Sequence, residues 1–186
     1  MSESTNEKYL EILDPDNNYF SDNHMNFSSY DIDTFKSSGI TKNGSLNIMH
    51  HNSRSILTEG RMEEYNILLD AINNPFHVIG FTETWLKHSN TNCVSFNGYT
   101  ATHSVRNDNE ILRDTGGGLS IFVKDNINYT VREDLNLMLP YIEALFIEFF
   151  YSGKKYMIGL IYRVPNTNIK DFIETLHNLI EPIRNN

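Results

Sequence analysis

Three apolar runs in this chain end on side chains that can grip a cation or a phosphate. The run His77-Val78-Ile79-Gly80-Phe81-Thr82 ends on a carboxylate, Glu83. The run Leu46-Asn47-Ile48-Met49-His50-His51 ends on an amide, Asn52. A third run, from Lys155, ends on a phenol, Tyr162, with a second amide, Asn166, close behind. Taken singly, each has a plain explanation. An acid is where a strand meets water, and Asn is a frequent turn residue. Brought side by side, one carboxylate, two amides and a phenol would suit one hard cation that keeps most of its water, as Mg²⁺ does. They would also hold a phosphate through neutral donors.

Strands must position these groups. Residues 46–52 and 77–82 are short apolar runs rich in β-branched and aromatic side chains, the pattern of buried strands. In the first, Leu46, Ile48 and His50 share one face and Asn47, Met49 and His51 the other. His50 and His51 therefore point apart and cannot readily chelate one ion. Between the two runs Met62, Tyr65, Leu68, Leu69 and Ile72 recur at helical spacing, which predicts a helix over about 60–73 with Thr58 as its cap. Asn73-Asn74-Pro75 stops it. Strand, helix, strand at this spacing is a βαβ-like unit, and the class is α/β or a mixed sandwich.

Further strands are expected at 98–103, 119–123, 129–132, 142–151 and 155–162, the last two joined by a hairpin at Ser152-Gly153. Residues 87–97 and 106–114 read as polar loops. Gly116-Gly117-Gly118 suggests a phosphate cradle, but no Gly-Lys-Ser/Thr follows and the next element is a strand. Close backbone approach at a strand start is the better reading. A final helix places Ile169, Phe172, Ile173, Leu176, Leu179, Ile180 and Ile183 on one stripe, with Asp171 in its first turn.

The 186 residues, 39% of them hydrophobic, are enough for one sizeable core. Residues 1–44 are rich in Asn, Ser and Asp with no sustained period, and read as an acidic disordered tail. Ser21-Asp22-Asn23-His24, an acid beside a histidine, lies in that tail and is read as incidental. The net charge is −9, with −5 of it in residues 1–45. Such acidity argues against a broad electrostatic nucleic-acid surface. It leaves room for a metalloenzyme in which divalent ions supply local positive charge. Cys93 is the only cysteine, so an internal disulfide and a cysteine zinc site are both excluded, which fits a reducing compartment. No apolar run is long enough to span a membrane, and the first residues lack a signal-peptide layout.

The blocks Leu46-Asn-Ile-Met-His-His-Asn52-Ser-Arg-Ser-Ile56, Ile79-Gly-Phe-Thr-Glu83-Thr-Trp-Leu86, Gly116-Gly-Gly-Leu-Ser-Ile-Phe-Val-Lys124 and Tyr162-Arg-Val-Pro-Asn166 come in an order that resembles the endonuclease/exonuclease/phosphatase superfamily. More narrowly, the chain is similar to the AP-endonuclease-like domain of non-LTR (LINE-type) retrotransposons, over about residues 46–184. The resemblance implies a four-layer α/β sandwich, two mixed sheets face to face with helices outside. It implies Mg²⁺- or Mn²⁺-dependent hydrolysis of DNA in an intracellular setting, nuclear or cytoplasmic. It implies Glu83 as metal ligand with Asn52 beside it, Tyr162 and Asn166 as catalytic groups at the scissile phosphate, and Asn52, Arg54 and Arg163 as substrate contacts.

The family pattern continues with a Gly-Asp-x-Asn block and a Ser-Asp-His block, neither of which is present. Asp171 is the last Asp, and both it and His177 fall in the final helix. The expectation is therefore the N-terminal half of such a domain in residues 45–186, with an uncovered apolar sheet face that promotes self-association. Two other readings stay open: a catalytically dead remnant or domesticated interaction module, and a phosphatase, sphingomyelinase or ribonuclease branch of the superfamily.

Overall fold

The computed structural model describes residues 31–41, 44–106 and 116–184. Ser21-Asp22-Asn23-His24 lies outside these residues. In chain order the elements are α1 (Ile32–Ser37), β1 (Ile48–Asn52), α2 (Arg61–Ala71), β2 (Val78–Thr82), a 3-10 turn (His88–Cys93), β3 (Tyr99–Ser104), β4 (Leu119–Lys124), β5 (Tyr129–Val131), β6 (Leu137–Leu139), β7 (Ile142–Tyr151), β8 (Lys154–Arg163) and α3 (Ile169–Arg184). None of the described helices is long and apolar enough to cross a membrane.

The strands form two sheets. The first has the order β1-β2-β4-β3, with β1 and β2 parallel and the rest antiparallel. In the second, β7 pairs β5 and β6 on one side and β8 on the other, all antiparallel. The period of two then divides the side chains cleanly. Val78, Leu119, Ile121 and Val123 from the first sheet meet Leu145, Ile147, Phe149 and Leu160 from the second in one buried cluster between the sheets. The opposite face of the first sheet carries Ile79, Phe81 and Phe122, which pack with Tyr65 and Leu69 of α2. The opposite face of the second carries Ala144 and Phe146, which pack with Leu179 of α3. Helix, sheet, sheet, helix is thus the layer order, and the fold class is α/β as expected.

Phe81 holds the outer core of the first sheet together. Its ring centre lies 4.9 Å from that of Tyr65 and 5.8 Å from those of Phe96 and Phe122, within the range where aromatic pairs attract. Two local expectations are corrected. Helix α2 starts after Gly60, whose φ is 78°, and has no side-chain cap; the Thr58 hydroxyl instead donates to the Ser55 carbonyl. Helix α1 falls within the stretch read as tail, and its Phe35 packs 6.2 Å from Phe76.

Among the described residues β1 pairs only with β2, and β8 only with β7. These two open edges flank one groove of about 310 Å³ between the sheets, lined by Ile48, His50, Gly80, Ile121, Ile158 and Leu160. Ile48 on β1 is 48% exposed. Because β1 is an edge strand, both His50 and His51 keep part of their surface in water. His51 Nδ1 lies 2.7 Å from the Tyr65 hydroxyl, and His50 Nε2 3.4 Å from that of Thr82.

Candidate functional site

The strand ends do converge. Thr82 closes β2, and a regular continuation would aim Glu83 at the α2 side with Ile79 and Phe81. Instead Glu83 takes a left-handed conformation, φ 53°, which breaks the alternation. Its carboxylate then meets groups from both sheets. The Asn52 amide donates to Glu83 Oε1 at 3.0 Å from the end of β1. The Tyr162 hydroxyl donates to the same oxygen at 2.9 Å from the end of β8. Glu83 Oε2 receives no hydrogen bond from the described residues.

A left-handed non-glycine residue costs about 1–3 kcal/mol and persists only where its surroundings hold it. Eight such residues occur among those described, and five of them sit in the loops that carry the predicted site: Arg54, Ser55, Glu83, Trp85 and Asn166. The Glu83 loop is held from two sides. On one, Ser55 N donates to the Glu83 carbonyl at 2.8 Å and Ile56 N to the Thr84 carbonyl at 3.0 Å. The buried Ser53 hydroxyl adds a contact of 3.1 Å to the Glu83 carbonyl. On the other, Thr84 N donates to Gly118 O at 3.1 Å and Trp85 N to Gly117 O at 3.0 Å.

The glycines therefore act through close approach. A Cβ on Gly118 would lie 2.6 Å from Thr84 Oγ1, and one on Gly117 would collide with Glu143 and Arg106. Glu143 is a residue that sequence reasoning missed. It is wholly buried at the start of β7 and bonds to Gly118 N at 2.7 Å and Arg106 Nε at 2.6 Å. Its signal lay in parity: residues 143, 145, 147 and 149 share the face that enters the apolar layer between the sheets, and only the first is charged.

Burial, then the hydrogen bond and charge of Glu83, push the Tyr162 hydroxyl above the ordinary tyrosine range. Tyr162 is thus a neutral donor across the physiological range. His50, close by on β1, has its pKa lowered by burial and favours the neutral ring. Arg54 is exposed on the loop after Asn52, and Arg163 ends β8 beside Tyr162. Asn166 is exposed on the loop after β8, with φ 61°, and does not hydrogen-bond Glu83. His177 faces Glu181 at 3.8 Å on the exposed side of α3, away from these groups.

The donor set of a cation here would be oxygen only: Glu83 Oε2 and the Asn52 side-chain carbonyl, with water or substrate completing the shell. One carboxylate with retained water is a pattern that Mg²⁺ accepts, so the residues fit such an ion. Among the described residues no group of three His, Cys, Asp or Glu side chains could form an all-protein metal cage.

Among solved structures, the fold is similar to that of the endonuclease domain of TRAS1, a telomere-specific non-LTR retrotransposon, with a TM-score of 0.50 and 14% sequence identity. Over the matched part, the chain shares the α/β fold of that structure. The match covers 72% of this chain and 53% of that structure, so the chain spans about half the length of the domain it resembles. No protein-family model matches the sequence, and no curated protein matches it at a significant level. At this identity the likeness is one of fold alone.

Proposed function

We propose that this chain carries the metal-binding part of a Mg²⁺- or Mn²⁺-dependent phosphodiesterase site that acts on DNA. One observation carries the reading: two donors from two different sheets meet on Glu83 Oε1 while Oε2 accepts none from the described residues, on a loop held in a strained conformation. Preorganised donors around one free carboxylate oxygen are what a hard cation and a phosphate oxygen both require. Glu83 and Asn52 would hold the ion. When bound, it would supply positive charge to the phosphate and to the oxyanion that develops there.

The chain's own residues would do the positioning. Tyr162 keeps its proton and offers it as a hydrogen bond, to Glu83 in the resting site and to a phosphate oxygen when substrate is present. Asn166 extends the same rim from the loop after β8. Arg54 and Arg163, which follow Asn52 and Tyr162 closely in the chain, would grip neighbouring phosphates as charged donors. The matched solved structure is an endonuclease domain, which supports a DNA substrate for this chain.

The open β1 and β8 edges add a reading about assembly. They face one groove, and the chain spans about half of the matched structure. A second copy docking along these edges would cover the exposed Ile48 and extend both sheets.

A competing reading is a non-catalytic remnant, favoured by one observation: among the described residues no Asp–His pair adjoins Glu83. Nicking of supercoiled plasmid separates the two. Activity that needs Mg²⁺, stops with chelator and is lost in Glu83→Gln supports the enzyme. A well-folded, inactive wild-type chain supports the remnant.

A further inference from the structure

Glu143 is a fully buried carboxylate that the proposed chemistry does not use. It lies in the apolar layer between the sheets, on the same face of β7 as Leu145, Ile147 and Phe149. A charge there is costly unless it is matched. Each of its oxygens is matched. Oε2 accepts from Gly118 N at 2.7 Å, and Oε1 accepts from Arg106 Nε at 2.6 Å, with the Arg106 Nη2 in contact as well. Arg106 is itself mostly buried, its side chain 23% exposed.

The bonding partners give this carboxylate its place. Gly118 donates its N–H to Glu143 and accepts from Thr84 N, the residue after Glu83. In the second sheet, Glu143 is the antiparallel register partner of Tyr162. Register partners in such a pair share one face and adjoin each other. Glu143 therefore sits next to both halves of the Tyr162–Glu83 contact. It reaches the Glu83 loop through Gly118, just before β4 of the first sheet, and adjoins Tyr162 across the ladder of the second.

We infer that the Glu143–Arg106 pair is a positioning device that locks the Glu83 loop of one sheet against Tyr162 of the other. The inference rests on the reading of Glu83 as the centre of the site. Gly117 and Gly118 are part of the device, because a side chain at either would displace the carboxylate or the Glu83 loop. The pair touches no reacting group. Its work is to fix the distance between two groups that do. Two sheets that met only through Leu, Ile and Val would leave that distance to apolar packing, which has no directional preference. Two charge-assisted hydrogen bonds set it geometrically.

Trp85 provides the readout. It is the only tryptophan in the chain, and its backbone N–H bonds to Gly117 O within the same clamp. Its fluorescence therefore reports the Glu83 loop with no competing signal. In the full chain, Glu143→Gln is expected to red-shift Trp85 emission and to raise its quenching by acrylamide, at a temperature where the variant is fully folded by circular dichroism. Arg132→Met is the control. It breaks an ion pair with Asp134 and Glu148 that involves no residue of the clamp, so it should lower the melting temperature and leave Trp85 unchanged.

Mn²⁺ titration adds a second arm, in which Glu143→Gln should weaken binding by about 10- to 100-fold, as loss of a supporting shell does. Should Glu143→Gln fail to fold, Arg106→Met is measured in the same two ways. A folded variant with lowered stability but wild-type Trp85 emission and quenching overturns the inference, since a merely structural pair would behave so. A wild-type chain that binds no Mn²⁺ refutes the metal reading of Glu83 instead. The Trp85 arm still decides the positioning role in that case.

Discussion

Gly118→Ala tests the clamp on the Glu83 loop most directly, because its cost can be worked out beforehand. Two terms add. Gly118 has φ 83°, and placing an L side chain in the left-handed region costs about 1–2 kcal/mol. The new Cβ would also lie 2.6 Å from Thr84 Oγ1. Thr84 is completely buried, so it cannot swing into solvent to make room. Its hydroxyl also faces Leu86 N at 3.4 Å. Overpacking of this kind costs about 1–3 kcal/mol. The expected total is about 2–5 kcal/mol. Gly116→Ala is the matched comparison. Gly116 has φ 101°, yet its Cβ would meet nothing within 4 Å, so only the conformational term applies. Urea unfolding of the two variants should then differ by about 1–3 kcal/mol, the packing term alone. With a slope near 2 kcal/mol per molar, that is a midpoint difference of about 0.5–1.5 M. Equal midpoints for the two variants, with unchanged slopes, would refute the claim that close approach to Thr84 is why glycine stands there.

The remaining predictions are brief. Tyr162→Phe should cost about 0.5–1.5 kcal/mol in urea unfolding, the net worth of one hydrogen bond, and should lower plasmid nicking by about 10²-fold if the hydroxyl also serves the phosphate. Stability should fall as pH drops below 7. Burial lowers the pKa of His103 from 6.5, and His50, His51 and His77 shift the same way. The unfolded chain therefore takes up protons first, so this stability is complete above the unfolded value and is lost as pH falls through it toward the folded one. His103→Asn should flatten the slope of unfolding free energy against pH between 7 and 5. Ile48→Lys places a charge on the open β1 edge, and sedimentation velocity should show less self-association than wild type.

Much of the architecture was legible because period and burial agree. The apolar runs at 46–52 and 77–82 became β1 and β2, the helical stripe between them became α2, and the Ser152-Gly153 hairpin joined β7 to β8. Asn52 and Tyr162, the two groups that meet on Glu83, were also legible, since each of the three closes an apolar run. Less visible was what holds them. Glu143 and Glu148 look alike in Ile142-Glu-Ala-Leu-Phe-Ile-Glu148, yet they lie on opposite faces of one strand. Glu148 pairs with Arg132 and Lys155 on the outer face, where water is close. Glu143 enters the apolar layer and needs Arg106, 37 residues earlier in the chain. No local pattern pairs residues so far apart. The Thr58 cap failed for a related reason. Its hydroxyl was taken by Ser55, whose own left-handed turn serves the Glu83 clamp.

The strain in these loops and the acidity of the chain bear on one question, why a cation would settle at Glu83 rather than at another acid. An exposed carboxylate is well solvated and gives up water reluctantly. Glu83 has exchanged part of its hydration for two fixed donors on a single oxygen. With those donors on one oxygen, Oε2 would be the ligand in the proposed site. The left-handed backbone at Glu83, Trp85, Arg54 and Ser55 keeps the carboxylate from relaxing into the regular strand direction. Its cost is met by the hydrogen bonds of the two clamps, so it is present before any ligand arrives. A site already ordered has less entropy to lose on binding. In a chain of net charge −9, the field of the other acids also favours a cation and disfavours bare phosphate. The metal would therefore bind first, and DNA second through it. This order predicts that the affinity of the chain for a short duplex rises with Mg²⁺ at constant ionic strength. Binding that is equally tight in chelator would contradict it.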